Sequence, residues 1–252
     1  MANIFADISW MEAAAAAVAM LLGTTVFSAT GFGIGMVATP VLLIAHEPQS
    51  AIVIPGSLGL LTGFWIMWKS WRDVPLRQVL PVSIPSWFGA PIGVYILSTA
   101  DAGILSIAIA ALIILFAIGS FFKVERELPF STPLGVIAGF VVGVLLPTTG
   151  VAGSLVMLYL MTRQWERQTV RAAMAFFLTT LMIMSIFFFW FNGLYTQERL
   201  TLIGIAAIPA ALGLALGSII IKRINERIFQ YAVIGIIIFS SVVAIAQELV
   251  NL

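Results

Sequence analysis

Two apolar stretches of this chain, residues 13–45 and 134–162, are each too long for one membrane helix, and both are interrupted near the middle. A helix crosses the roughly 30 Å hydrocarbon core with about 20 apolar residues. As unbroken helices the two stretches would reach about 50 and about 43 Å. The first interruption reads Ser28-Ala29-Thr30-Gly31-Phe32-Gly33-Ile34-Gly35, and the second Pro147-Thr148-Thr149-Gly150-Val151-Ala152-Gly153-Ser154. Glycine and proline weaken a helix interior by about 1 and about 3 kcal/mol relative to alanine. Hydroxyl side chains compete for its backbone hydrogen bonds. Each stretch therefore predicts two half-helices joined by a non-helical tip.

Six other apolar runs have the length of one span: 51–68, 78–97, 103–121, 171–191, 200–221 and 228–247. Charged residues make up only 9% of the 252, against roughly a quarter in soluble domains. Such a chain cannot cover a surface with polar groups, so the bilayer is its solvent. The net charge of +1 offers no field for nucleic acid. There is no cysteine and one histidine, His46, which argues against disulfides, thiolate metal sites and cysteine nucleophiles. No cofactor, no metal and no catalytic group is expected. Met1 to Trp10 holds no Lys or Arg. A secretory signal needs a basic start, so the first apolar segment reads as part of the mature protein.

The two interrupted stretches correspond. A shift of 119 places Thr30-Gly31 on Thr149-Gly150, and Glu47-Pro48-Gln49-Ser50 on Glu166-Arg167-Gln168-Thr169. A shift of 124 places Ile84-Pro85-Ser86-Trp87-Phe88-Gly89 on Ile208-Pro209-Ala210-Ala211-Leu212-Gly213, and Gly93 on Gly217. The common order predicts an internal duplication: residues 1–122 and 133–252, joined by a cytoplasmic linker, 123–132.

Lys and Arg collect on the cytoplasmic side of membrane proteins. In the first half the basic loop carries Lys69, Arg72 and Arg77, while the loops near His46 and Asp101 carry none. In the second half the loops matching those two carry Arg163, Arg167, Arg171, Lys222, Arg223 and Arg227, and the loop matching 69–77 holds only Arg199. If the interrupted stretches cross as single spans, the twelve basic residues split six to six. If each is a hairpin that returns to its own side, they split eleven to one, with Arg199 the exception. The fold expected is an all-α polytopic membrane protein. It has two inverted repeats, each one broken-helix hairpin plus three transmembrane helices, ten helical segments in all. Both termini then lie outside the cytoplasm of a bacterial cell, in its inner membrane.

Irregular backbone within a bilayer must be buried or line a wet cavity. Arms 13–28 and 36–45 reach at most about 24 and about 15 Å, which puts the tips near the midplane, where opposed hairpins form binding sites in transporters. No Lys or Arg lies within the interior of an expected span. The short arms begin near Gly35 and Ser154, and their first N–H groups and dipoles favour an anion. Thr30, Thr148 and Thr149 add hydroxyl donors, and Gly31, Gly33 and Gly150 allow close backbone approach. Ser57, Ser86 and Trp87 are further candidate substrate contacts. Glu47 and Glu166 begin matching loops on opposite faces, and Pro85 and Pro209 sit at matching places in spans. These four are gating or coupling candidates. Gly89/Gly93, Gly139/Gly143 and Gly213/Gly217 read as helix-packing faces.

The stretch Ala29-Thr30-Gly31-Phe32-Gly33-Ile34-Gly35, followed by an apolar arm reaching Thr39-Pro40, resembles the sulfite exporter TauE/SafE family, also called the toluene sulfonate uptake permease family. Thr149-Gly150-Val151-Ala152-Gly153 is similar to its second copy, with Ala152 where the first has Gly33 and no phenylalanine. The resemblance covers essentially the whole chain. It implies a secondary transporter of small sulfur-containing anions such as sulfite, sulfoacetate or other organosulfonates, with Thr30, Gly31, Phe32 and Gly33 at the site. The expected partners are the anion, the lipid bilayer and a coupling ion, proton or sodium. An anion channel, or a transporter of a non-sulfur anion, would use a similar site.

Overall fold

The computed structural model of the chain describes residues 8–30, 33–119, 132–161, 165–220 and 226–251. Among the described residues every long element is an α-helix. The first five are α1 (Trp10–Thr30), α2 (Ile34–Leu42), α3 (Pro48–Ser70), α4 (Leu76–Thr99) and α5 (Ala102–Gly119), with a single 3-10 turn at Trp71–Asp73 between α3 and α4. The next five are α6 (Thr132–Thr149), α7 (Gly153–Met161), α8 (Arg167–Phe191), α9 (Gln197–Ile220) and α10 (Glu226–Asn251). Each set of five runs long, short, long, long, long. Both short helices, α2 and α7, have nine residues. Among the described residues six helices are long and apolar enough to cross a membrane, and the chain is a multi-pass membrane protein. The expected linker 123–132 lies, but for Thr132, outside the described residues.

The breaks are narrower than the sequence suggests. Ser28-Ala29-Thr30 and Pro147-Thr148-Thr149 are helical, and the described non-helical residues at the breaks are Gly33 in the first and 150–152 in the second. The hydroxyls explain this in the second hairpin. Thr148 donates to the Val144 carbonyl at 2.7 Å and Thr149 to the Leu145 carbonyl at 2.7 Å. They bond one turn back along their own helix, which strains it slightly without breaking it. The long arms are correspondingly longer than expected. α1 runs 21 residues, or about 31 Å. Its start is set by a capping box: the Ser9 hydroxyl accepts from the Glu12 N–H at 3.2 Å, and the Glu12 carboxylate accepts from the Ser9 N–H at 2.9 Å.

By length α1 counts as a span, yet the chain comes back beside it. Gly23 of α1 lies against Ile34 and Ala38 of α2. His46 Nε2 is 3.0 Å from the Glu12 carbonyl oxygen. The start of α3 therefore sits level with the first turn of α1. The second hairpin closes similarly, with the Tyr159 hydroxyl of α7 against Gly135 at the start of α6.

The most extensive helix contacts are α1 with α9 and α4 with α6. Lipid tails are as apolar as leucine, so helices in a bilayer associate through close packing rather than through apolar burial. Here glycines supply that closeness. Gly213 and Gly217 of α9 face the carbonyls of Leu21 and Thr25 on α1. Gly89 and Gly93 of α4 face the backbone of α6, and Gly139 and Gly143 of α6 face Val82 and Ser86 on α4. Hydroxyls then bridge the helices: Thr24 donates to Ala210 at 2.8 Å, Ser28 to Leu214 at 2.9 Å and Thr148 to Gly93 at 3.0 Å. α3 and α8 pack together, as do α5 and α10.

Candidate functional site

The two breaks meet. Gly35, in the first turn of α2, lies so close to the Gly150 carbonyl that a methyl group on Gly35 would overlap it. Gly33 precedes α2 with φ +92°, and Gly150 follows α6 with φ +73°. This is left-handed backbone that costs other residues about 1–2 kcal/mol. Beside this contact is a cavity of about 80 Å3. Gly33, Ile34 and Gly35 border it from the N-terminal end of α2, and Gly150, Val151 and Gly153 border it from the N-terminal end of α7. α3 contributes Ile52, Pro55, Gly56, Gly59 and Gly63, and α8 contributes Ala175, Leu178, Thr179 and Met182. Two helix starts, with the positive ends of their dipoles, thus border one space, an arrangement that favours negative charge.

A proline shapes the α3 wall. Pro55 has no N–H, which deprives the Ala51 carbonyl of its usual partner within the helix. The Thr39 hydroxyl of α2 supplies the missing bond at 3.3 Å. Thr39 is fully buried, borders the cavity and lies beside Gly150. Thr179 is also buried there, 1% exposed, and its hydroxyl has no hydrogen-bond partner among the described residues.

Of the residues singled out from the sequence, Gly33 and Gly150 border the cavity. Gly31, Phe32 and the side chain of Thr30 lie outside the described residues. Thr148 and Thr149 adjoin the break, but their hydroxyls bond α4 and α6 backbone. The Ser57 hydroxyl is 2.8 Å from that of Tyr195. Burial raises the Tyr195 phenol above its ordinary pKa, and its bond to Ser57 acts weakly in the other direction. The phenol therefore stays protonated and able to donate. Ser86 is bonded to the Ser83 carbonyl at 2.7 Å within α4. The Trp87 indole N–H is buried without a partner among the described residues, and Trp87 does not border the cavity. Pro85 lines an apolar groove with Ile84, Phe88 and Phe140. Pro209 lies within α9.

Glu47 and Glu166 precede α3 and α8, both exposed, and neither side chain caps its helix. Glu47 is tied to Arg199 at 3.4 Å. The Arg199 guanidinium, 9% exposed, also donates to Ser50 at 3.0 Å and to the Leu194 carbonyl at 2.9 Å. This arginine fastens the start of α9 to the start of α3. At the start of α8, Gln168 donates to Asp73 at 3.0 Å, joining α8 to the 3-10 turn.

Thr39 and Thr179 are the cavity hydroxyls that sequence reasoning did not place at the site. For Thr179 no motif marks it out. The α3 wall did carry a signal: Gly56, Gly59 and Gly63 recur at i, i+3 and i+7, one face of a helix.

A comparison with the curated proteins and with the solved structures gave no match. Residues 15–244 match the family described as sulfite exporter TauE/SafE, a family of membrane transporters rather than enzymes. That match takes in all of α2 to α9 and most of α1 and α10. With its many apolar helices and its two broken ones meeting at glycines, the chain belongs to the sulfite exporter TauE/SafE family.

Proposed function

We propose that the protein carries a small sulfur-containing anion, sulfite or a compact organosulfonate, across a bacterial inner membrane by alternating access, holding it between the two hairpin tips. One observation carries the reading: a single cavity is bordered by the N-terminal ends of two nine-residue helices, α2 and α7, from different halves of the chain. The family supplies the sulfur chemistry, and the helix ends supply a reason for an anion to rest there. The halves, 1–122 and 133–252, are inverted repeats in this reading. Supporting it, exchanging the halves turns the α1–α9 contact into the α6–α4 contact, and both exist. The termini then lie outside the cytoplasm, and Thr30, Gly31 and Phe32 stay with the site as the family motif suggests. The polar ties at the starts of α3 and α8 are gates on opposite faces, with Glu47 in one and Glu166 beside the other. Transport is driven by the substrate gradient or by a coupled proton or sodium ion.

The test is flux of sulfite in proteoliposomes holding the purified protein. Flux should saturate, compete with small sulfonates and vanish in Gly35→Val. Undiminished flux in that variant, shown to be folded by size-exclusion chromatography, would remove the tips from the pathway. Single-channel currents in a planar bilayer would replace alternating access with a pore.

A further inference from the structure

The cavity has a charge preference that can be read from its walls. Helix starts of α2 and α7 border it, and each helix N-terminus presents roughly half a unit of positive charge. Together they amount to about one. No Asp, Glu, Lys, Arg or His borders the cavity among the described residues. Its other walls are largely apolar, including Ile52, Pro55, Leu178 and Met182. Two hydroxyls are present and their roles differ. Thr39 already donates to Ala51, so towards a ligand it can only accept. Thr179 is 1% exposed, borders the cavity and has no partner among the described residues. A buried hydroxyl without a partner carries a desolvation cost that a ligand oxygen would relieve.

We infer that the site takes its anion as a monoanion, with the Thr179 hydroxyl as the side-chain donor to it. This rests on the anion reading of the cavity and narrows it. A single negative charge is balanced by the two helix ends. A second would be buried against apolar walls with nothing to offset it, which is strongly unfavourable. The preferred ligands are hydrogen sulfite and small monosulfonates, while sulfate and the sulfite dianion are disfavoured.

Binding to the purified full-length protein, measured by calorimetry in detergent, separates the possibilities. Methanesulfonate keeps one charge across the neutral range, and sulfate keeps two. Methanesulfonate should bind at least about tenfold more tightly than sulfate. Sulfite affinity should fall as pH rises and the monoanion is depleted, while methanesulfonate affinity stays flat. Thr179→Val should weaken methanesulfonate about tenfold with little change in Tm, and Thr179→Ser should restore most of it. Sulfate binding as tightly as methanesulfonate would overturn the monoanion preference and leave the anion site standing. Equal affinities in Thr179→Val and the parent would overturn the role of Thr179. Binding of cations with no binding of any anion would instead overturn the anion reading beneath both.

Discussion

The two hairpins have the same plan, and their tips are built differently. In the first, the described left-handed glycine, Gly33, stands at the start of the short arm, and a methyl placed on it would meet nothing within 4 Å. In the second, Gly150 ends the long arm, and a methyl there would lie 2.9 Å from the Thr39 hydroxyl and 3.2 Å from Ile52. A side chain has room at Gly33 and is crowded at Gly150. The neighbours differ too. Thr39 of α2 answers the carbonyl freed by Pro55 of α3. At the matching places of the second half stand Leu158 and Met174, with no proline to free a carbonyl and no hydroxyl to answer it. Thr179 of α8, in turn, matches Leu60 of α3. Each half of the chain thus brings its own polar group to the cavity, Thr39 from α2 and Thr179 from α8.

The largest effect should come where the tips touch. Gly35→Val sets a branched side chain against the Gly150 carbonyl, and overpacking of that kind costs about 1–3 kcal/mol or more. Flux in proteoliposomes should be lost. Next, the two left-handed glycines should part company. Gly33→Ala pays only for its backbone, about 1–2 kcal/mol, whereas Gly150→Ala adds crowding of about 1–3 kcal/mol. Thermal denaturation in detergent should rank Gly150→Ala clearly lower; equal losses would mean that the tips are alike after all. Thr39→Val leaves the Ala51 carbonyl unanswered, at about 1–3 kcal/mol. Pro55→Ala restores the N–H that Thr39 replaces, so the double variant should be more stable than the sum of its parts predicts. Strict additivity would uncouple the pair. The smallest effects belong to the exposed ties. Glu47→Gln and Gln168→Ala should each shift stability by under about 1 kcal/mol, the former less so in high salt. Any larger consequence should appear in transport rate rather than in Tm.

Much of this architecture was legible. Two overlong stretches broken at glycine gave the hairpins, and the glycine pairs at 89/93, 139/143 and 213/217 gave the helix contacts. Where sequence reasoning went astray, the cause was local hydrogen bonding. Thr148 and Thr149 look helix-hostile by type, but their hydroxyls bond the preceding turn and let α6 run on to Thr149. The Ser9–Glu12 pair was a readable start signal that extends α1 beyond its purely apolar run. At the site, Gly33 and Gly150 follow from the pattern of breaks. Thr179 does not, because a threonine in an apolar helix carries no mark of which side it faces. Arg199 stood out in the sequence as the exception to the expected charge pattern, and it is buried against Ser50, Leu194 and Glu47, partners that no sequence motif marks.

The meeting of Gly35 with Gly150 also bears on how the protein is made. Chains emerge N-terminal end first, so the first hairpin is complete while its counterpart is still unsynthesised. Until then the start of α2 holds bare peptide groups that hydrocarbon cannot satisfy. The nascent first half therefore cannot rest at its final depth in lipid. It has to wait at the membrane surface, in the insertion machinery or around trapped water, and the cavity can close only once α8, its last wall in chain order, has been made.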